Sequence, residues 1–491
     1  RKCQLRSSSA SPCASSVVSG PDLENSLRCT HIKKPSFFRV PAFWKHTKLT
    51  VHQTRMLAST TLASRVPQFA ARCFRACSNG RLPRAGKAPT VLRQGSPARR
   101  PTGGSVTPLC STRLQCAPIT ASAVVTRDEV INEHPMNNVT DIIFQKIGVN
   151  LHQRPTHPLG IIKAAIEEFF EAERPGMFKS FDNLYPVVTA KANFDDVLIP
   201  EDHVSRSPND TYYVDNETVL RCHTSAHQAE MLRKGETHFL VTGDVYRRDS
   251  IDATHYPVFH QMEGVCLFTA EDAAKAGCSQ EELAERDLKR SLEGLARHLF
   301  GDVEMRWVDA YFPFTEPSFE LEIFFKGEWL EVLGCGVMQQ AILDDAGRGD
   351  CKAWAFGLGL ERLAMVLFDI PDIRLFWTDD ERFAKQFQPG VLTTKFVPYS
   401  KYPPCNKDVS FWISDKFSEN NLCEITRNVA GDLVEEVKLI DEFTHPKTGR
   451  TSHCYRIVYR SNDRSLTDEE INAKQEEVRR QIVDNLDVEL R

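Results

Sequence analysis

Gly243-Asp-Val-Tyr-Arg-Arg-Asp-Ser-Ile-Asp-Ala-Thr-His-Tyr-Pro-Val-Phe-His-Gln-Met-Glu263 sets two arginines, two histidines, an amide, four acids and three aromatics between two apolar runs. A segment that only filled a core would need a partner for each of these groups, because an unpaired buried polar group costs about 1–3 kcal/mol. The flanks Phe239-Leu-Val and Val265-Cys-Leu-Phe read as strands. Alternation puts Phe259, Gln261 and Glu263 on one face, an aromatic platform beside an amide and a carboxylate. The same rule puts Arg247 and Asp249 on one side of the preceding strand, as part of a site or as a surface ion pair worth at most about 1 kcal/mol. Arginine on one strand, with glutamine and glutamate on the next, makes a floor for a ligand carrying both phosphate and amine.

Working outward, His157–Phe170 has Ile161, Ile162, Ala165, Ile166, Phe169 and Phe170 at helical spacing, and Ser279–Phe300 has Leu283, Leu288, Leu292, Leu295 and Leu299. Val187-Val-Thr and Val197-Leu-Ile-Pro read as short strands. Four more are expected at Met305-Arg-Trp-Val, Tyr311-Phe-Pro-Phe, Phe319–Phe325 and Trp329-Leu-Glu-Val-Leu, joined by hairpins such as a turn at Gly327. Gly357-Leu-Gly-Leu-Glu-Arg362 is expected to start a helix. The class is α+β, with sheet and helices segregated along the chain. A linker falls near residues 389–397. Residues 398–491 then spell β-α-β-β-α-β, the ferredoxin-like order, with Thr467-Asp-Glu-Glu470 as a capping box opening the last helix.

Hydrophobic residues make up 41% of the 491 and charged residues 26%, as in soluble globular chains, and no apolar run is long enough to span a bilayer. The net charge of −5 hides an asymmetry: residues 1–126 hold 20 Lys/Arg against two acids, Asp22 and Glu24. Residues 1–125, rich in Ser, Ala, Arg and Pro, read as an organellar transit peptide or disordered segment; a nucleic-acid-binding tail is the other reading. The first methionine is Met56, from which the chain reads as a basic amphipathic presequence, with 1–55 as upstream sequence. Of 15 cysteines none outside this tail forms a Cys-x-x-Cys pair, so reduced thiols are expected rather than a zinc or disulfide framework.

Gly357 and Gly359 let backbone approach a ligand closely, or serve only as a packing turn; Arg362 one turn on can clamp a phosphate. In His223-Thr-Ser-Ala-His-Gln228, His223, Ser225 and Gln228 supply donors and acceptors for an amino group or carboxylate. His223 and His227 as metal ligands lack an evident third partner.

The Arg247/Asp249 strand, the Phe259-His-Gln-Met-Glu263 strand and Gly357-Leu-Gly-Leu-Glu-Arg362 resemble motifs 2 and 3 of the class II aminoacyl-tRNA synthetases, and His223-Thr-Ser-Ala-His-Gln228 joins them in a closer resemblance. Together with Tyr311-Phe-Pro-Phe314, Trp329-Leu-Glu-Val-Leu-Gly-Cys-Gly336 and Trp354-Ala-Phe-Gly-Leu-Gly-Leu-Glu-Arg362, they resemble the phenylalanyl-tRNA synthetases in their single-chain organellar form. Asn209-Asp-Thr-Tyr-Tyr-Val-Asp and Lys401-Tyr-Pro-Pro-Cys-Asn-Lys-Asp-Val-Ser-Phe-Trp-Ile are similar to the plant and algal version. The resemblance covers about residues 126–491. It implies a class II catalytic domain over 126–388, built on an antiparallel sheet, and a ferredoxin-fold anticodon-binding domain over 398–491.

The resemblance also implies roles. Arg247 would contact the ATP α-phosphate, Phe259 would stack on adenine, and Arg362 would close over the nucleotide, with Thr254, His255 and Tyr256 lining it. Asp249 stands where the family more often has glutamate. Gln261 and Glu263 would bind the α-ammonium of phenylalanine, with His223, Ser225, Ala226, His227, Gln228 and Met262 around them and Glu331 at the rim. Phe312 and Phe314 would pinch the substrate ring edge-to-face; Ala355, beside Phe356, would close the pocket, with Gly357 and Gly359 along its wall. No editing domain is read from the chain, so some tyrosine misactivation is expected. Magnesium is expected with ATP, with Glu316 as one candidate ligand. The terminal domain has 14 Lys/Arg and 18 Asp/Glu, yet Lys447, Arg450, Arg456 and Arg460 form a locally basic strip suited to tRNA(Phe) phosphates, or a solvated hairpin. A monomer in mitochondria or chloroplasts, without membrane contact, completes the expectation.

Overall fold

The computed structural model describes residues 124–399 and 401–491. The targeting segment read from the N-terminus lies outside them up to residue 123. Strands are numbered along the chain. After β1 (Lys179–Phe181), β2 (Val187–Thr189) and β3 (Thr218–Leu220) form a separate antiparallel ribbon. The large sheet adds β4 (His238–Tyr246), β5 (Val258–Phe268), β6 (Glu304–Phe312), β7 (Thr315–Phe325), β8 (Glu328–Met338) and β9 (Lys352–Gly359). Its order is β1-β4-β5-β9-β8-β7-β6, antiparallel except for the β1–β4 pair.

The helices that frame this sheet include α1 (Pro158–Glu173), the short α2 (Gln228–Arg233), α3 (Gln280–Phe300) and α4 (Leu360–Phe368). In α3, Ser279 and Glu282 form a reciprocal capping box, and Leu288, Leu292, Leu295 and Leu299 turn one buried stripe to the sheet. Fully burying each such leucine contributes about 1.5–3 kcal/mol. Helices α1, α3 and α4 cover one face of the sheet, packing on Met262, Trp354, Phe356 and Leu358. The opposite face carries α2 and the turn Thr224–His227, over Val241, Val265 and Ala355. That second face is left open along β9, and the site lies there.

Several expected elements differ. The four strands read between residues 305 and 333 are three, because Tyr311 and Phe312 finish β6 rather than begin a strand of their own. Lys326 and Gly327, both at positive φ, make the β7–β8 turn read at Gly327. Val197 closes a 3-10 turn, ended by Leu198 at φ +56, and is not in a strand. The Gly357-Leu-Gly359 stretch is strand: β9 is paired on both sides, to β5 and β8, so ladder bonds hold those glycines extended and helix α4 begins only at Leu360.

The C-terminal sheet has β10 (Cys405–Trp412), β11 (Val434–Thr444), β12 (Thr451–Tyr459) and β13 (Glu489–Leu490) in the order β11-β12-β10-β13. With α5 (Glu419–Ala430) and α6 (Asp468–Leu486) it follows the β-α-β-β-α-β order read from the sequence. Thr467 caps α6 through Glu470 N, but the Glu470 carboxylate turns to Arg464, so only half of the expected box forms. The β4–β5 loop meets this domain: Val437 N donates to Ile251 O, Arg427 to Asp249 O, and Asn420 to Arg248 O.

Candidate active site

Glu263, on β5, is 2% exposed, and its two carboxylate oxygens accept from Ser225 Oγ and Gln228 Nε2. Alternation along β5 fixes its direction, and the turn before α2 brings Ser225 and Gln228 down onto it. Burial pushes the carboxyl up to about 7, against the pull of those two donors. A buried carboxylate held by two neutral donors is suited to a ligand ammonium. Beside it, Gln228 Oε1 lacks a hydrogen-bond partner among the described residues, as does Asn193 Nδ2, while the His223 ring meets the Asn193 backbone. Burial, then the nearby Arg247 charge, holds His223 down at about 3, so its imidazole is neutral at physiological pH. Across the ladder Glu263 faces Gly357, and Gln261 faces Gly359. A Cβ at either glycine would meet nothing within 4 Å, so both leave backbone open to a ligand.

The anion-binding half follows on the same hairpin. Arg247 lies one residue past β4, and its amide donates to Pro257 O, extending the ladder. Its Nε donates to Cys222 O at 2.8 Å, and its guanidinium sits 4.9 Å from the centre of the Phe259 ring. A cation over an aromatic face pre-orients both groups. Arg362 is in the first turn of α4, its side chain 36% exposed and its Nη1 3.8 Å from Glu331. The preceding residue, Glu361, is buried and binds His260 of β5.

The apolar end comes from the far side of β9. Phe312 is buried and Phe314 half-buried, with ring centres 6.0 Å apart and planes 11° from parallel. Gly334 makes room for Phe312, since a Cβ there would come within 2.8 Å of its Cζ. Ala355 lies on the same face as Gly357, beside Val265, with Phe314 packed on that cluster. One open face therefore gathers a buried carboxylate, two exposed-backbone glycines, an arginine over an aromatic ring, a second arginine and an apolar end.

Residues 144–387 match the family model of the tRNA synthetases class II core domain (F), and residues 400–491 match the ferredoxin-fold anticodon-binding domain. The chain is 66% identical over 369 residues to the chloroplastic/mitochondrial phenylalanine–tRNA ligase of Arabidopsis thaliana, covering 75% of this chain and 86% of that protein. It is 49% identical over 408 residues to the mitochondrial phenylalanine–tRNA ligase of Mus musculus, covering 77% and 90%. The mitochondrial one of Dictyostelium discoideum is 48% identical over 404 residues, covering 72% and 89%. The chain belongs to the class II phenylalanine–tRNA ligases. As a phenylalanine–tRNA ligase it works with ATP, an amino acid and tRNA. Among the described residues, no helix is long and apolar enough to cross a membrane.

Not every residue expected to line the ligase site does so. Met262 and Phe356 point to the opposite face of the sheet, where Phe356 stacks on Phe170 and a Cβ at Gly264 would strike its Cε1 at 2.3 Å. Alternation explains both, since each neighbours a site residue along its strand. Tyr256 is buried, stacks on Trp377, and its hydroxyl donates to Asp432 of the C-terminal domain rather than facing a nucleotide. His227 is committed to Arg221, at 2.9 Å, and to Glu230. Ala226 is buried beneath the turn. Thr254 and His255 hydrogen-bond Asp252 within the loop. Because β4 ends at Tyr246, Asp249 is in the loop rather than on the strand, its oxygen turned back to Ser250 N.

The basic strip is split rather than continuous. Arg450 pairs with Glu489, Arg456 with Asp408, and Arg460 with Glu435 beside Arg374 of the catalytic core. Strand β12 separates Arg450 from Arg460, a rise of about 3.3 Å per residue along nine residues. Asn193, His260 and Glu361 were not read as site residues. The alternation of β5, which sends His260 to the buried face with nothing apolar about it, was the available signal.

Proposed function

We propose that the open face of the large sheet activates L-phenylalanine with ATP and then transfers it to tRNA(Phe). Glu263 takes the α-ammonium, with Gln261, His223, Ser225 and Gln228 completing its polar surround. The substrate ring extends toward Phe312, Phe314 and Ala355. Phe259 stacks on adenine while Arg247 and Arg362 hold the phosphates. The phenylalanine carboxylate attacks the α-phosphorus, the bond to the bridging oxygen breaks, and pyrophosphate leaves. Charge develops on the phosphoryl oxygens, where Arg247 acts. The terminal ribose hydroxyl of the tRNA then attacks the acyl carbon and AMP departs.

Magnesium takes hard oxygen ligands and keeps several waters, so one or two carboxylates beside the phosphates suffice. Glu316, exposed at the start of β7, is one candidate ligand, and Glu331, half-buried beside Arg362, is another. Bound there, the ion would neutralise charge on the leaving pyrophosphate. Among the described residues no group of three His, Cys, Asp or Glu is placed to hold a metal ion.

Residues 126–388 form the catalytic domain, 389–397 the linker and 398–491 the anticodon-binding domain. The ligase acts as a monomer, and in mitochondria or chloroplasts, the compartments in the names of its relatives. The observation that carries the site assignment is the caged Glu263 facing Gly357 on the same hairpin that bears Arg247 and Phe259. Amino-acid-dependent pyrophosphate exchange across all twenty amino acids tests it. Phenylalanine should dominate, with tyrosine weakly active; a different preferred amino acid overturns it.

A further inference from the structure

We propose that Arg221 is a positioning residue for both substrates, holding the turn that seats the amino acid in register with the strand end that carries Arg247. The proposal deepens the functional reading above and rests on it. Arg221 directly follows β3, is 1% exposed, and is among the largest fully buried side chains. Its guanidinium reaches separate segments of the chain. Nε donates to Asp244 O at 2.7 Å and Nη2 to Asp244 Oδ1 at 2.6 Å, both on β4. Nη1 donates to Leu184 O at 3.2 Å, and to His227 Nε2 at 2.9 Å in the turn that carries Ser225. With Nε2 accepting, the His227 proton sits on Nδ1 and faces the Glu230 carboxylate at 3.5 Å.

The backbone continues the link. Arg221 O accepts from Tyr246 N at 2.9 Å, and Cys222 O accepts from Arg247 Nε at 2.8 Å. Cys222 N donates in turn to Oδ1 of the buried Asn193 at 2.9 Å. His223 comes next and opens the turn that places Ser225 on Glu263. Arg247 therefore hangs on the same short strap that leads into the amino-acid turn. Gly243 shows how tightly the guanidinium is seated: a Cβ there would come within 2.2 Å of Arg221 Nη2 and 2.9 Å of its Cζ. The ladder partner of Gly243 is Gln261, so Arg221 lies against the hairpin at the level of the ammonium site. Stability alone does not call for this arrangement, because a buried ion pair can often be replaced by apolar groups with little loss. An apolar side chain cannot direct hydrogen bonds to fixed points on β4 and on the turn at once.

The test uses the full chain, with Arg221→Lys, His227→Leu, the two combined, and Arg221→Met. Active sites are counted by the burst of adenylate formation, and KM values for both substrates come from pyrophosphate exchange. Lysine keeps a charge for Asp244 but lacks the fork that also reaches His227. Arg221→Lys and His227→Leu should each raise the KM for phenylalanine about tenfold and leave the KM for ATP within about twofold of wild type. The combined variant should be no worse than either alone, since both break one contact. Arg221→Met also releases Asp244, and its kcat per active site should fall about a hundredfold, as for a small displacement of reacting groups. Losses that multiply in the combined variant overturn the proposal, as does an unchanged KM for phenylalanine in both single variants. A Met variant that loses only melting temperature or active-site count makes Arg221 merely structural and overturns it too; if that variant does not fold, the Lys and Leu cycle decides. Should the wild type lack phenylalanine-dependent pyrophosphate exchange, the underlying functional reading fails instead.

Discussion

Glu361 accepts two hydrogen bonds from His260, one from the backbone amide at 2.8 Å and one involving ring Nδ1 at 2.7 Å, with both side chains buried. His260 lies between Phe259 and Gln261, and Glu361 immediately precedes Arg362. The pair therefore fixes the strand that carries Phe259 and Gln261 to the helix that carries Arg362. Glu361→Gln keeps the volume but replaces one acceptor with a donor, and leaving a buried polar group unsatisfied costs about 1–3 kcal/mol. A displacement of about 1 Å at the reacting groups costs about a hundredfold in rate. Pyrophosphate exchange by Glu361→Gln should fall by that order, with a higher KM for ATP and a lower melting temperature. Wild-type KM and rate would show that the contact positions nothing.

With Glu263 as the proposed seat of the substrate ammonium, its ionisation should set the pH behaviour of amino-acid binding. Burial raises its carboxyl to about 7, above the ordinary 4.5, and the ammonium of the substrate needs the ionised form. The KM for phenylalanine should rise about tenfold per pH unit below 7, and this dependence should vanish in Glu263→Gln along with tight binding. Stability runs the other way. Between pH 4.5 and 7 the folded protein holds a proton that the unfolded chain releases, so stability falls as pH rises through that window, by about 3 kcal/mol in total. Glu263→Gln should therefore melt at a higher temperature than the wild type at pH 8 and at nearly the same temperature at pH 4. Equal melting temperatures at both pH values would remove the argument.

Two glycines a few ångströms apart should respond oppositely to alanine. At Gly357 a Cβ meets nothing within 4 Å, whereas at Gly264 it meets Phe356 Cε1 at 2.3 Å and Cζ at 2.7 Å. Gly357→Ala should keep its melting temperature and lose phenylalanine activation, because the methyl occupies the space facing Glu263. Gly264→Ala forces a core phenylalanine aside, an overpacking worth about 1–3 kcal/mol, and should unfold earlier. Differential scanning calorimetry and pyrophosphate exchange on the two variants check both halves.

What could be read from the sequence follows from the range of each signal. Strand alternation placed Phe259, Gln261 and Glu263 together, and the Gly327 turn and the β-α-β-β-α-β order were legible because each is set by near neighbours in the chain. Ladder register was not legible. That Gly357 faces Glu263, and that Phe356 consequently faces away, depends on how β9 aligns with a strand about ninety residues earlier. Tyr256 reaches Asp432, 176 positions on, through a domain contact that no local pattern announces. Arg450 and Arg460, grouped by sequence, are parted by the length of one strand.

Ala355 decides how much room lies at the apolar end. It is buried against Val265 and Phe314 on the site face of β9, and its partner across the ladder to β8 is Gly336. An apolar wall rejects an added hydroxyl by only about a hundredfold, so the wild type should activate tyrosine measurably but weakly. Ala355→Gly removes one methyl and deepens the pocket by roughly that volume, at a stability cost of about 1 kcal/mol for the lost apolar burial and the freer backbone. The variant should activate para-halogenated phenylalanines that the wild type refuses, while its kcat/KM for phenylalanine falls a few-fold through looser packing. Pyrophosphate exchange with a para-substituted series reads this directly. If the substrate range of Ala355→Gly equals that of the wild type, the ring does not end at Ala355, and Phe312 and Phe314 lose their assignment with it.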